Sequence, residues 1–128
     1  MEEFKEIGVD AFIATEDATL GTKGKVTYLL SLILRSNLLT SKNVMIYSCG
    51  PKPMLEEVAD IAKENDIPCM VLLEERMACG VGACLSCACK IKEGTDNWDY
   101  KLVCRDGPTF NAKEVIWDEW DEWDEWDD

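Results

Sequence analysis

The sequence predicts an α/β fold in which part of a doubly wound parallel sheet is followed by a small β-rich module. Up to residue 74, short apolar runs alternate with helical patterns in the order β-α-β-α-β, which is typical of a parallel sheet with right-handed crossovers. After residue 74 the runs shorten, and cysteines, glycines and polar turns accumulate. We therefore expect three regions, at residues 1–74, 75–116 and 117–128.

Each element of the first region follows from its local pattern. Residues 9–15 are β-branched and aromatic, which predicts a strand, and a polar loop follows at 16–24. The dense apolar residues of 25–39 predict a helix that is buried on one side. A strand at 43–48, a helix at about 52–65 and a strand at 69–74 complete the series.

The second region reads as loops and short strands with little apolar core. Its predicted elements are a loop at 79–87, a strand at 88–92, a polar turn at 93–99, a strand at 100–104 and a turn at 105–110. We expect something other than hydrophobic burial to hold so small a module together.

Cysteine usage and the N-terminus indicate a reducing compartment. The chain begins MEEFKEIGVD, which is acidic and lacks the basic and apolar pattern of a secretory signal. No apolar run approaches the roughly 20 residues that span a bilayer. We therefore expect a cytoplasmic protein, in which the seven cysteines bind metal more readily than they form disulfides.

The net charge of −13 is concentrated at one end of the chain. Residues 117–128, WDEWDEWDEWDD, hold eight of the 26 acidic residues and no basic residue, which leaves 18 acidic against 13 basic residues elsewhere. This balance argues against nucleic acid as a partner, because phosphate binding needs a basic face, and no basic amphipathic segment predicts membrane binding. The tail is interpreted as a low-complexity extension, with a docking segment for a partner as the alternative.

Four cysteines have the spacing of an iron–sulfur cluster. They follow C-x4-C-x2-C, with a fourth cysteine after sixteen further residues, which is the plant-type [2Fe–2S] spacing. The predicted ligands are Cys79, Cys84, Cys87 and Cys104. We expect Gly80 and Gly82 to let the backbone curl around the cluster and bring N–H groups to the sulfurs, with Cys104 arriving from a distant strand.

Two other readings of the cysteines remain open. A structural zinc site usually has two Cys-x2-Cys pairs, and this chain has one such pair and a distant Cys104. A redox-active dithiol would place Cys84 at a helix N-terminus. Cys89 and Cys69 lie in strand-like runs and are predicted to be small packed thiols rather than ligands.

Three stretches together resemble one family. EERMACGVGACLSCACK followed by YKLVCRDGPTF resembles the C-terminal iron–sulfur module of the electron-transfer subunit of NAD-dependent (class B) dihydroorotate dehydrogenase. YSCGPKPML resembles the Cys-Gly-Pro motif of the ferredoxin–NADP reductase superfamily, to which that subunit belongs, and TEDATLGTKGKVT resembles its Thr-x-Asp-Gly-Ser loop. The resemblance runs from about residue 2 to residue 117.

The resemblance implies a function in electron transfer for pyrimidine biosynthesis. In that family a [2Fe–2S] cluster passes electrons between an FAD in this subunit, which reduces NAD⁺, and an FMN in the partner catalytic subunit, which oxidises dihydroorotate to orotate. The chain would then work in a hetero-oligomer, with residues 1–74 as part of a pyridine-nucleotide-binding domain. Carried over by motif, Cys49, Gly50 and Pro51 would lie beside nicotinamide and flavin. A plain strand-to-helix turn is the alternative for these three residues.

The sequence departs from the family pattern in two places. The flavin-binding barrel and the first Gly-rich unit of the nucleotide domain are not found in it, so we expect a truncated relative without a complete FAD or NAD site. Ala18 stands where the family has glycine, and alanine has poor access to a positive φ.

Other functions remain as alternatives. The same architecture fits the flavin and iron–sulfur subunit of a ferredoxin:NADP⁺ oxidoreductase or of a glutamate-synthase-like complex. A module of a different class would be a zinc-stabilised interaction domain. The chain contains no histidine, and no residues form a recognisable general acid–base pair, so we assign no catalytic residue.

Overall fold

The computed structural model describes residues 2–36, 38–39 and 43–117. The chain forms two compact units, one up to Asn43 and the other from Val44 onward, and each is described by itself. The predicted acidic tail at 117–128 lies outside the described residues except for Trp117. No helix among the described residues has the length and apolarity needed to cross a membrane.

The described residues of the first unit form two short helices and a two-stranded parallel ladder. Its elements are α1 (Glu2–Glu6), β1 (Ala14–Thr15), β2 (Thr22–Lys23) and α2 (Val26–Arg35). The strand predicted at 9–15 is reduced to β1, which pairs with β2. The predicted β-α-β-α-β sheet is therefore wrong in its first step, because the chain folds back so that the Thr22 N–H donates to the Ile13 carbonyl at 2.8 Å.

The loop between β1 and β2 corrects the expectation for Ala18. This residue has a φ of 62°, so it adopts the left-handed conformation although it is not glycine. The adjacent residues support the turn, since the Asp17 carboxylate accepts hydrogen bonds from the Thr19 N–H at 3.0 Å and from its hydroxyl at 2.8 Å. These bonds lower the pKa of Asp17.

The helix predicted at 25–39 is shorter in the structure. α2 ends at Arg35, and Ser36 takes an extended conformation while its N–H donates to the Leu32 carbonyl at 2.9 Å. Thr27 and Leu29 are its buried side chains, so the apolar pattern correctly predicts a helix but not its end.

The described part of the second unit, residues 44–117, contains five strands and two helices. They are β3 (Ile46–Cys49), α3 (Lys52–Glu64), β4 (Cys69–Leu72), β5 (Ala88–Glu93), β6 (Asn97–Leu102), α4 (Val103–Asp106) and β7 (Thr109–Asn111). The strands form a three-stranded sheet in the order β3-β4-β7 and a separate hairpin of β5 and β6. The fold is thus a mixture of helices and small sheets.

The three-stranded sheet joins the two predicted regions of the sequence. β3 and β4 are parallel, as predicted, whereas β7 pairs antiparallel with β4, with Phe110 opposite Val71. The turn predicted at 105–110 therefore contains the start of a strand. Val71 is fully buried and Phe110 is 8% exposed, so this strand carries part of the core.

The hairpin is longer than the sequence predicts. β5 and β6 pair from Ala88 opposite Leu102 to Glu93 opposite Asn97, so most of the predicted turn at 93–99 is strand. On the other side of β5, the Lys92 N–H donates to the Glu114 carbonyl at 2.7 Å and the Ile116 N–H to the Lys90 carbonyl at 3.1 Å.

The expectation that this module has little core is wrong. Its buried residues include Cys87, Cys89, Ile91, Leu102, Val103, Phe110 and Val115. Apolar burial therefore contributes to holding the module together in addition to any bound group.

Candidate cluster site

The four predicted ligands lie on two segments of the second unit. Cys79, Cys84 and Cys87 belong to the loop between β4 and β5, and we refer to residues 79–87 as the cluster loop. Cys104 lies in α4 and not in a strand, which corrects the prediction. The chain leaves β6 after Leu102, where the Val103 N–H donates to the Cys87 carbonyl at 3.1 Å and so brings α4 to the end of the cluster loop.

The structure brings the four thiols together as two pairs. The side chains of Cys79 and Cys84 are close enough to interact with each other, and so are those of Cys87 and Cys104. Within the described part of the chain, no three His, Cys, Asp or Glu side chains are grouped so that they could hold a single metal ion. Two thiol pairs fit a cluster of two irons, each of which takes two cysteines, better than one tetrahedral zinc ion.

Backbone N–H groups point at the sulfurs. The N–H groups of Val81 and Ala83 donate to the Cys79 sulfur at 3.4 and 3.3 Å. The Cys104 N–H donates to the Cys87 sulfur at 3.5 Å. Such donors favour thiolates over thiols, so the loop is suited to ligands that must be deprotonated.

The pKa values follow these hydrogen bonds. The Val81 N–H is the main cause that lowers the pKa of Cys79. The Ser86 hydroxyl is the main cause that lowers the pKa of Cys84 to about 6. The pKa of Cys104 is raised, first by its hydrogen bond with the Cys87 side chain. Cys79 and Cys84 therefore ionise more readily than Cys104.

Left-handed backbone conformations shape the cluster loop. Gly80 has a φ of 67°, Gly82 of 84° and Leu85 of 61°. A Cβ atom on Gly82 would lie 3.1 Å from the Cδ atom of Arg105, so another residue there would be strained by its φ and tight against Arg105. The predicted role of the two glycines in curling the loop agrees with these angles.

Two cysteines are packed apart from these pairs, as predicted. Cys89 is 1% exposed, and its thiol donates to the Lys101 carbonyl at 3.4 Å. Burial raises the pKa of the Cys89 thiol to about 12. Cys69 is 4% exposed in β4, and burial raises its pKa as well.

Cys49, Gly50 and Pro51 lie at the carboxyl end of β3, directly before α3. The Cys49 side chain is exposed, and a surface cavity of about 300 Å³ is lined by Gly50, Pro51, Lys52, Leu55, Leu73 and Glu74. Lys52 forms an ion pair with Glu75 at 3.0 Å, which connects the start of α3 to the segment that leads into the cluster loop.

Sequence reasoning missed two side chains of the site, Ser86 beside the Cys84 sulfur and Arg105 beside the cluster loop. The Ser86 hydroxyl lies 3.1 Å from the Cys84 sulfur, and its position between Cys84 and Cys87 in the sequence was the available signal. Arg105 packs against Gly82 and forms two hydrogen bonds with Asp106, at 3.1 and 3.2 Å. No sequence pattern predicted the contact of Arg105 with Gly82.

Comparisons with known proteins find relatives that match the region of the site. Residues 74–116 match the family described as the iron-sulfur cluster binding domain of dihydroorotate dehydrogenase B. The chain is 41% identical over 117 residues to the electron transfer subunit of dihydroorotate dehydrogenase B (NAD(+)) from Caldanaerobacter subterraneus subsp. tengcongensis, covering 91% of this chain and 44% of that protein. The subunit of the same name from Desulforamulus reducens is 40% identical over 116 residues, which cover 91% of this chain and 42% of that protein.

A solved structure has a similar fold. A chain of an NADH-dependent reduced ferredoxin-NADP oxidoreductase, studied for flavin-based electron bifurcation, superposes with a TM-score of 0.76 at 30% identity, covering 95% of this chain and 41% of that one. The present chain thus spans less than half the length of these relatives. Residues 74–116 are thus similar to the iron–sulfur cluster binding domain of dihydroorotate dehydrogenase B, and most of the chain is similar to electron transfer subunits of that enzyme.

Proposed function

We propose that this chain binds a [2Fe–2S] cluster through Cys79, Cys84, Cys87 and Cys104 and transfers electrons. The pairing of the four thiols carries this proposal. Two pairs of thiols, Cys79 with Cys84 and Cys87 with Cys104, match the ligand set of a two-iron cluster, in which each iron takes two cysteines. The family match over residues 74–116 supports the same cofactor independently.

When bound, such a cluster accepts and returns one electron at a time. The chain's own residues prepare the site for it. The N–H groups of Val81 and Ala83 stabilise negative charge on the Cys79 sulfur, and the buried Cys87 fixes the inner end of the cluster loop. Cys84 is exposed, so the ligand set extends from the interior of the unit to its surface, where a partner can approach.

The complete system is proposed to be an NAD-dependent dihydroorotate dehydrogenase of pyrimidine biosynthesis. The chain would pass electrons between an FMN-containing catalytic subunit, which oxidises dihydroorotate to orotate, and FAD and NAD. Each dihydroorotate releases two electrons, so two single-electron transfers are needed per turnover. The names and the 40–41% identity of the relatives support this assignment, which implies a hetero-oligomer. Thiolate ligands need a reducing compartment, which favours the cytoplasm.

Residues 1–74 are proposed to be part of a doubly wound pyridine-nucleotide-binding sheet. The parallel pair of β3 and β4 with α3 between them supports this, as does the cavity beside Gly50 and Pro51. Cys49, Gly50 and Pro51 would contact nicotinamide or flavin. The boundary near residue 74 between this region and the cluster module coincides with the start of the family match.

Metal analysis of the anaerobically purified chain tests the cofactor. The expected result is two irons and two acid-labile sulfides per chain, with an electron paramagnetic resonance signal after reduction by dithionite. Cys104→Ser should lose the signal, whereas Cys89→Ser, which changes a buried thiol that is not a ligand, should keep it. A colourless chain with one zinc ion would overturn the proposal.

A second candidate is a subunit of a ferredoxin:NADP⁺ oxidoreductase. The structural neighbour with a TM-score of 0.76 favours it, because that protein is a reduced ferredoxin-NADP oxidoreductase. Affinity purification of the chain from its native cells separates the two candidates. Copurification of an FMN-binding dihydroorotate-oxidising subunit supports the first, and copurification of a pyridine-nucleotide reductase subunit without that activity supports the second.

A further inference from the structure

Ser86 places a hydroxyl between the backbone of the segment that precedes the cluster loop and the sulfur of Cys84. Its oxygen accepts a hydrogen bond from the Ala78 N–H at 3.2 Å. The same oxygen lies 3.3 Å from the Arg76 carbonyl and 3.1 Å from the Cys84 sulfur. The preceding residue, Leu85, has a left-handed φ of 61°, which turns the chain between Cys84 and Ser86.

The hydroxyl has one proton and two possible acceptors. If Cys84 keeps its own proton, either group of the Cys84–Ser86 contact can donate. A sulfur that ligates a metal is deprotonated and can only accept. A charged acceptor makes the stronger hydrogen bond, and the sulfur is also closer than the Arg76 carbonyl. The Ser86 O–H would therefore turn to Cys84 if that sulfur were a ligand, while the Ala78 N–H would hold the oxygen in place.

We propose that Ser86 is a positioning residue that donates a hydrogen bond to the ligating Cys84 sulfur and raises the reduction potential of the cluster. This inference rests on the proposed function. Reduction adds one electron from an external donor and increases the negative charge on the sulfur ligands, while no bond breaks and the proton stays on the Ser86 oxygen. A donor to sulfur therefore stabilises the reduced form more than the oxidised form.

Ser86 can be tested separately from the other donors to sulfur. The donors to Cys79 and Cys87 are backbone N–H groups, which a side-chain substitution leaves in place. Ser86 is exposed, so water can replace its contact with the Ala78 N–H, and an added methyl group has room. Ser86→Ala removes the hydroxyl, Ser86→Thr keeps it, and Ser86→Val has the shape of the threonine variant without the hydroxyl.

The experiment is a redox titration of the full chain, purified anaerobically and followed by electron paramagnetic resonance. Iron and sulfide are measured in every variant. We expect S86A and S86V to retain both at wild-type levels and to have lower midpoint potentials, and S86T to have a potential near that of the wild type.

The other outcomes are distinguishable. A wild-type chain without iron and sulfide would overturn the proposed function itself. Loaded S86A and S86V with wild-type potentials would overturn only the role of Ser86. Loss of iron in both variants but not in S86T would mean that the hydroxyl maintains the loop and does not tune the potential, which also contradicts the inference.

Discussion

Individual residues of the cluster loop have conformations that their chemistry explains. Gly82 combines a φ of 84° with a contact to Arg105 that leaves little space for a Cβ atom. Gly94, in the turn between β5 and β6, has a similar φ of 77° but no heavy atom within 4 Å of the position of a Cβ atom. Substitutions at the two glycines can therefore be compared: both strain the backbone, and only the one at Gly82 also crowds a neighbouring side chain.

Gly82→Ala should destabilise the chain more than Gly94→Ala. Both variants place alanine in the left-handed region, at a cost of about 1–2 kcal/mol in the free energy of unfolding. Gly82→Ala must in addition displace Arg105, and we expect it to lower the iron content. Urea unfolding and iron analysis measure the two effects. Equal losses of stability and full iron content in both variants would contradict this account of Gly82.

Cys49 should react with a thiol reagent faster than Cys69 in the native chain. Cys49 is exposed, whereas Cys69 is 4% exposed and burial raises its pKa. Because the thiolate is the nucleophile, we expect brief treatment of the native chain with iodoacetamide to modify Cys49 and spare Cys69. Mass spectrometry of the peptides measures this, with the denatured chain as the control in which both react.

The raised pKa of Cys69 also makes the stability of the fold depend on pH. A thiol whose pKa is higher in the folded chain stabilises the fold fully below the pKa of the unfolded thiol. That contribution is lost as the pH rises from the unfolded pKa toward the raised folded value. The labelling experiment has a contrary outcome as well. If native Cys69 reacted as fast as Cys49 at neutral pH, β4 would not be packed as described.

At the scale of elements, local signals predicted some parts of the fold and long-range pairing determined others. The helix predicted at 52–65 is α3, Lys52–Glu64, because prolines mark its start and Asn65 its end. β7 has three residues and follows Gly107-Pro108, so its sequence alone reads as a turn. It becomes a strand only through pairing with β4, which no local pattern specifies.

The same distinction applies to the site. The spacing of the cysteines predicted which residues share a loop, because that spacing is itself the local signal. The placement of Cys104 in α4 depends on the Val103 N–H bonding to the Cys87 carbonyl, and the contact of Arg105 with Gly82 depends on the folded loop. Contacts between segments distant in sequence could not be read from either segment alone.

Phe110→Ala tests how β7 holds the cluster module to the sheet. Phe110 is 8% exposed and lies opposite the fully buried Val71. Removing its ring should lower the free energy of unfolding by about 3–5 kcal/mol. The matched control in the same strand is Thr109→Ala, since Thr109 is exposed and should cost little. Urea unfolding of both variants measures the difference, and equal stabilities would rule out the packing role of β7.

At the scale of the whole molecule, the charge and the site occupy different parts of the chain. Eight of the 26 acidic residues lie in residues 117–128, whereas all four proposed ligands lie between residues 79 and 104. The ligands also belong to one of the two compact units, the one that begins at Val44. Loss of a bound group from the site should therefore change the stability of that unit first.

Removal of the metal should loosen the second unit selectively. The bound group would link the cluster loop to α4, so its loss removes a cross-link between segments that otherwise meet through few hydrogen bonds. We expect the chain treated with a chelator and a reductant to have a lower melting temperature. Hydrogen–deuterium exchange should increase at residues 79–106 and remain unchanged in α2, which contains no ligand. The Cys104→Ser variant should resemble the metal-free chain before any treatment. An equal increase of exchange in α2 and in the cluster loop would contradict the assignment of the metal's stabilising effect to the second unit.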